Sequence, residues 1–387
     1  MSLIDTIATA FKGGGDSRVP LAHGFISPWA VALGHTEGRR SFEYGRAIRE
    51  GFLANPIVQR AVKIVAEGVG SAPLAPGDPK LAQLVSATSA GQSLLETLAS
   101  QVLLNGNGYV QIIKDAKNKP IELFALRPER VRVVAGSDGW PSAYEYRVGD
   151  KRMTIELEDE AGWPNIIHIK ATHPADDHYG AGALAAADQA IAVHNAASQW
   201  NRSLLENAAR PSGALVFDGG DGGNLTGEQF ERLKAELSAA FSGQANAGRP
   251  MLLDGGLKWQ SMSLTPADMD FATLKEAAAR DIALAFGVPP MLLGLPGDNT
   301  YANYREANRA LWRLTLMPLA TKLLAALSEG LSPWFSDAPL AVDLDQVTAL
   351  SEDRERLWKQ VSEATFLSDD EKRAMLGLTT PAKKDRK

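Results

Sequence analysis

The feature that most constrains this chain is GAGALAAADQAIAVHNAASQWNRSLLENAARP, residues 180–211. After Gly182 it contains no glycine, and no proline until Pro211, and it is rich in alanine, the best helix former. About 28 helical residues extend roughly 42 Å. A rod of that length has to organise whatever lies on either side of it.

A second long helix is expected from Thr265, with Pro266 at its first helical position and Asp268 three residues after the cap. Phe271, Leu274, Ala278, Ile282 and Phe286 form its apolar stripe at helical spacing. Pro289 and Pro290 end it, because proline lacks the ladder donor and clashes with the preceding turn. The stretch AFGVPPMLLGLPGDNTYANYREANRALWRLT, from Ala285, then crosses a short Gly/Pro loop and restarts as a helix near Tyr301. Loops usually lie on the surface and are polar. This one carries Met291, Leu292, Leu293 and Leu295, and from Gly287 to Thr300 its only charge is Asp298.

Elsewhere the pattern is mixed. Residues 43–74 read as helix, with Pro56 opening the main segment and Val58, Ala61, Val62, Val65 and Val69 on one face. SLLETLASQVLLNGNGYVQIIKD gives a helix, a Gly-Asn-Gly turn and a strand, and ELFAL, RVRVVAG, AYEYRVG and NIIHIK read as further strands. Between the two long helices, 210–264 forms a compact insert: a strand at SGALVF, a turn at DGGDGGN, a helix at LTGEQFERLKAELSAAF and a hairpin-like pair at PMLLDGGLKWQSMSL. Pro318 is expected to kink the helix after Tyr301. Ser351 can cap one C-terminal helix, and Ser368 with Glu371 forms a capping box for another. The fold class is α+β.

Composition narrows the chemistry. There are no cysteines among 387 residues, so disulfides and thiolate catalysis are excluded. The net charge of −6 argues against a tight general grip on nucleic acid, which needs clustered Lys and Arg. No run of about 18 apolar residues occurs, so no membrane partner is expected. The first residues, MSLIDTIATAFKGGG, lack the pattern of a secretory leader; Leu3, Ile4, Ile7 and Phe11 could share one face of a short helix.

Several motifs offer chemistry and have plainer readings. HIKATHPADDHYG places His168, His173, Asp176, Asp177 and His178 within eleven residues, a set from which a metal-dependent hydrolase could be built. The spacing is not that of HExxH, and Pro174 makes the run a loop, so a polar loop after a strand is the simpler reading. Gly180, Gly182 and Ala185 match G-x-G-x-x-A, but no strand runs directly into them, and they more simply open a tightly packed helix. DGGDGGN puts Gly220 where a calcium loop needs a ligand. No Lys is followed by Ser or Thr, so no P-loop is present. Arg305, Arg309 and Arg313 share a helical face and suit ion pairing with Glu306 or a neighbouring element better than phosphate contacts. No cofactor is indicated. A C-terminal DNA-reading helix pair is disfavoured because Glu352, Asp353, Asp369 and Asp370 interrupt any basic face.

The order of parts resembles the portal proteins of tailed double-stranded DNA phages, in particular the large long-tailed-phage family. The motifs that carry this are LLNGNGYVQIIKD (103–115), YGAGALAAADQAI (179–191), NAARPSGALVF (207–217), AGRPMLLDGGLKWQSMSL (247–264) and RDIALAFGVPPMLLG (280–294). A portal of a gene transfer agent would suit this short, Ala-rich chain. The resemblance implies a non-enzymatic subunit of a dodecameric ring at one capsid vertex of a virion or phage-like particle, assembled in the bacterial cytoplasm. It implies an N-terminal arm (1–45), a wing (46–180 with 302–345), stem helices (182–209 and 265–288), a clip (210–264), a tunnel loop (289–301) and a crown with a basic tail (346–387). The implied partners are double-stranded DNA passing without sequence specificity, the large terminase, a head-tail adaptor and the major capsid protein. Gly287, Pro289 and Pro290 would set the bend after the stem. Leu295, Pro296, Gly297, Asp298, Asn299 and Thr300 would line the constriction, and Glu228, Glu231 and Lys234 would face partners from the clip.

Overall fold

The computed structural model describes residues 42–75, 77–89, 91–206, 213–217, 226–241, 257–261, 271–297, 300–336 and 339–377. The expected helix start at Thr265, Pro266 and Asp268, the 218–224 turn, residues 207–211, Asp298, Asn299 and both chain ends lie outside them. The chain divides into two compact units. One is built on Pro76–Gly182 and Lys322–Ala341, the other on Phe42–Ala75, Ala183–Thr321 and Val342–Lys387.

The first unit is α/β. Asp78 caps the Pro79–Ser86 helix by accepting from Lys80 N at 2.8 Å, with Pro79 at its first turn. The Leu94–Asn105 helix ends at Gly106, which is left-handed at φ 87°, and Asn107–Lys114 starts at once as a strand. That strand is central to an antiparallel sheet, between Pro120–Leu126 and Ile166–Lys170. A second antiparallel sheet orders Val131–Ala135, Pro141–Val148 and Lys151–Glu156. The last of these strands was not expected: KRMTIE has only one buried position, Ile155, so its apolar signal is weak. Tyr109, Leu126, Val131, Tyr144, Ile155 and Ile166 join the faces into one cluster.

The glycines of the 179–191 motif do what tight packing requires. A Cβ on Gly180 would lie 2.1 Å from the Gly106 carbonyl oxygen, and one on Gly182 would lie 2.6 Å from that of Leu104. Only hydrogen fits there, so the two backbones touch.

The second unit is helical. Asn55 caps Pro56–Gly70, accepting from Ile57 N and Val58 N at 3.0 and 3.2 Å. Val58, Ala61, Val62, Val65 and Val69 are all buried, each valine contributing about 1.5–3 kcal/mol. Ala183–Glu206 and Phe271–Ala285 pack along each other. Ala278, Ile282 and Phe286 are buried as expected, whereas Leu274, assigned to the same stripe, is 46% exposed. Leu274 is a correction: among the described residues the buried positions of this helix begin at Ala278. Strand Leu257–Ser261 pairs antiparallel with Gly213–Phe217, the SGALVF strand; the other arm expected at 251–256 lies outside the described residues.

Two helix details were not expected, and a third forms as read. Between Tyr301–Leu311 and Met317–Leu331 the chain makes a π-helical turn, Trp312–Leu316. Pro318 offers no N–H to the preceding turn, and a wider turn is one way to absorb that loss. Ser351 does not cap. It is the first residue of Ser351–Glu363, led in by a 3-10 turn at Thr348–Leu350. The Ser368–Glu371 capping box does form. The helical run Tyr301–Leu331 also reaches the length and mean hydropathy of a membrane span. Along it Leu316, Leu323, Leu324, Leu327 and Leu331 are buried within the protein, whereas Leu314 is exposed.

Candidate channel loop

The exit from Phe271–Ala285 is a Schellman closure. Val288 N donates to Ala283 O at 2.9 Å, Gly287 N donates to Leu284 O at 3.0 Å, and Gly287 is left-handed at φ 65°. Val288 is buried, and Pro289 and Pro290 prevent any continuation. Thr315 Oγ1 donates to the Gly287 carbonyl at 2.6 Å, which ties the bend to the π-helical turn.

The same device then repeats. Pro290–Leu293 forms a 3-10 turn, Gly294 is left-handed at φ 73°, Gly294 N donates to Met291 O, and Leu295 N donates to Pro290 O. Leu295 thereby turns inward and is 9% exposed. In the single chain Leu295 is therefore buried, unlike the exposed lining position expected of it. Pro296, Gly297 and Thr300 are exposed, and Asp298 and Asn299 lie outside the described residues. Thr300 caps the next helix, accepting from Asn303 N at 3.2 Å.

Electrostatically the loop is quiet. Arg280, one helix face before it, is paired with Glu276 at 2.9 Å and donates to the Pro296 carbonyl. Past the loop, Arg305 meets Glu352 at 3.1 Å, and Arg309 meets Glu306 at 3.1 Å, Glu352 at 2.6 Å and Asp353 at 3.7 Å. The Glu352 hydrogen bond leads in holding the Arg309 guanidinium above its ordinary range. Two of the three stripe arginines are thus committed to carboxylates, and Arg313 stays exposed.

Glu228, Glu231 and Lys234 are exposed on Gly227–Phe241, where Glu231 and Lys234 pair with each other at 3.9 Å. The side chains of the histidine loop are drawn to different partners. His168 sits in a strand, stacked on Tyr109 at 4.2 Å. Asn107 Oδ1 accepts from Gly180 N at 2.8 Å and faces His168 Nε2 at 3.1 Å. That oxygen therefore takes the Nε2 proton and leaves Nδ1 to accept from the Tyr144 hydroxyl at 3.3 Å. Burial first, then Lys170 and His178, push the His168 pKa down to about 3. His173 is exposed and accepts from Ala175 N, while Asp176 accepts from His178 N and Tyr179 N. Among the described residues no three His, Cys, Asp or Glu side chains are grouped to hold an ion.

The sequence reading missed the Thr315 bond, the Arg280 contact and the buried polar knot in which Asn55 Nδ2 lies 3.0 Å from His194 Nδ1 and 2.8 Å from Asn195 Oδ1. The FGVPP pattern, an apolar residue and prolines behind a helix-terminal glycine, is the signal from which the closure could have been read.

Comparison with known proteins places this geometry. A family model described as "Phage portal protein" matches residues 56–377. A chain in the virion of a native gene transfer agent particle is 47% identical, covering 91% of this chain and 99% of that one, with a TM-score of 0.67. A chain from the neck of such a particle, computed with C12 symmetry, shows the same identity with a TM-score of 0.66 and coverages of 91% and 99%. The probable portal protein of Streptomyces phage phiC31 is 24% identical over 317 residues, 78% of this chain and 67% of its own length.

Proposed function

Because this chain belongs to the phage portal protein family, we propose that it is one subunit of a twelve-membered ring that conducts double-stranded DNA at one vertex of a gene-transfer-agent-like particle. The observation that carries the reading is the 47% identity over 91% of the chain with a component of such a particle, seen again in a neck of C12 symmetry. The role is structural: a conduit and docking platform, without catalysis of its own.

The loop supports it. A segment that must let DNA slide gains nothing from phosphate contacts, since each cation adds an electrostatic hold. Here the exposed Pro296, Gly297 and Thr300 are uncharged, and Arg280 is neutralised by Glu276. Leu284, Tyr301 and Leu314, on the helices around the loop, are 77–80% exposed. Large apolar side chains left open in one chain suit burial against further copies.

By the same reading, 182–209 and 265–288 are the stem, 289–301 the tunnel loop, 210–264 the clip, 46–180 with 302–345 the wing, and 346–387 the crown. The large terminase, the head-tail adaptor and the major capsid protein are its partners, with Glu228, Glu231 and Lys234 on the clip surface. The test is the solution mass of the purified protein together with negative-stain imaging. Rings with an open centre that admits a duplex are expected. A compact two-fold dimer would overturn the reading.

A further inference from the structure

The loop after Phe271–Ala285 is fastened at its two ends by its own backbone turns. On the near side Leu295 N donates to Pro290 O at 3.2 Å, and on the far side Thr300 caps Tyr301–Leu311 through Asn303 N. Pro296 and Gly297 leave that support. Both are exposed, and among the described residues neither makes a backbone–backbone hydrogen bond. What reaches them is one side chain, Arg280, sixteen positions back on the second long helix.

Arg280 is itself fixed. Its Nη2 donates to Glu276 Oε1 at 2.9 Å and its Nε to the same oxygen at 3.3 Å, while Nη2 also donates to the Pro296 carbonyl. A guanidinium presents its donors in a rigid fork. Glu276, one turn earlier on the same helix, therefore aims the group and answers its charge within the subunit. The glycines beside the held carbonyl are otherwise open. A Cβ on Gly294 would meet nothing within 4 Å, and the one atom near a Cβ on Gly297 is Arg280 Nη2, at 3.9 Å among the described residues. Open glycines are conformationally permissive, and positions of this kind absorb the backbone rotation of a moving loop.

We propose that Arg280 is the positioning residue of the channel loop. Through the Pro296 carbonyl it holds the exposed turn against the second long helix, with Glu276 setting its aim, and its release lets the turn swing between Gly294 and Gly297. The proposal rests on the reading of this loop as the channel rim. In a ring of such subunits, one catch per copy then fixes where the rim stands while the cation that does so stays paired with its own subunit.

The chain has no cysteine, so a nitroxide on Pro296→Cys reports this turn alone, and the substitution keeps the carbonyl that Arg280 takes. In the full-length protein, Arg280→Gln is expected to shorten the label's rotational correlation time several-fold with the melting temperature unchanged. Arg280→Lys, which keeps the charge but not the fork, should fall between the two. Arg313→Gln, at an exposed arginine of the same unit, should leave the label as it was. Equal mobility in the parent and Arg280→Gln would overturn the proposal. So would an equal gain from Arg313→Gln, or a gain that appears only together with a lowered melting temperature. Mobility is read on the chain itself, so a failure to form rings in the imaging test would strike the channel reading while this measurement still decides the catch.

Discussion

The Thr315 hydroxyl donates to the Gly287 carbonyl at 2.6 Å across 28 positions of sequence. The same hydroxyl lies 2.7 Å from where a Cβ on Gly287 would stand. One residue therefore both fastens the bend after the second long helix and forbids any side chain in it. The bend is set by tertiary contact as much as by its two prolines.

Gly287→Ala should accordingly be costly. It combines a positive φ, worth about 1–3 kcal/mol of backbone strain, with the Thr315 contact. Thr315→Val should lose only the hydrogen bond, about 0.5–1.5 kcal/mol, and Thr315→Ser should keep it. Urea midpoints of the three variants check the order, which is Gly287→Ala least stable and Thr315→Ser nearest the parent.

Gly180 and Gly294 separate space from conformation. A Cβ on Gly180 collides with backbone at Gly106, whereas one on Gly294 meets nothing within 4 Å but sits at φ 73°. Gly294→Ala should cost about 1 kcal/mol and leave a folded protein. Gly180→Ala should fail to yield soluble, cooperatively unfolding material. Thermal melts of the two decide it.

His168 should make the α/β unit acid-sensitive. Its folded pKa of about 3 lies below the ordinary 6.5, so between those values the unfolded chain binds a proton that the folded chain refuses. Stability is then full above pH 6.5 and falls as pH drops toward 3, by at most about 1.4 kcal/mol per pH unit for this group. His194, held below its ordinary value mainly by burial, acts in the same direction on the helical unit. Urea midpoints between pH 7 and pH 4 should decline less steeply for His168→Phe than for the parent protein.

Arg309 binds the Ser351–Glu363 helix through Glu352 and Asp353. Arg309→Met should loosen that helix without unfolding the core, seen as faster amide exchange across 351–363. Unchanged exchange there would mean that packing alone holds it.

If Asp298 lines the channel as proposed, Asp298→Lys should leave rings intact and reduce the DNA content of particles, because every subunit would add a phosphate contact there. Normal DNA content with intact rings would count against the channel assignment for this loop.

Much was legible in the sequence because it rests on local chemistry. Ala-rich periodicity gave the long Ala183–Glu206 helix, the Pro289–Pro290 pair gave the stop, and Ser368 with Glu371 gave a cap that forms as read. Binary pattern gave the valine face of Pro56–Gly70 and six of the strands, because burial period follows directly from helix or strand geometry. What the sequence could not settle depends on which distant atoms meet. Leu274 fits the apolar stripe yet is 46% exposed, and Leu295 turns inward through the backbone hydrogen bond of its own N–H to Pro290. The strand partner of Leu257–Ser261, the occupied nitrogens of His168 and the contact between Gly106 and Gly180 were likewise decided in three dimensions. Residue type limits what a position can do, but proximity across the chain selects which of those possibilities it realises.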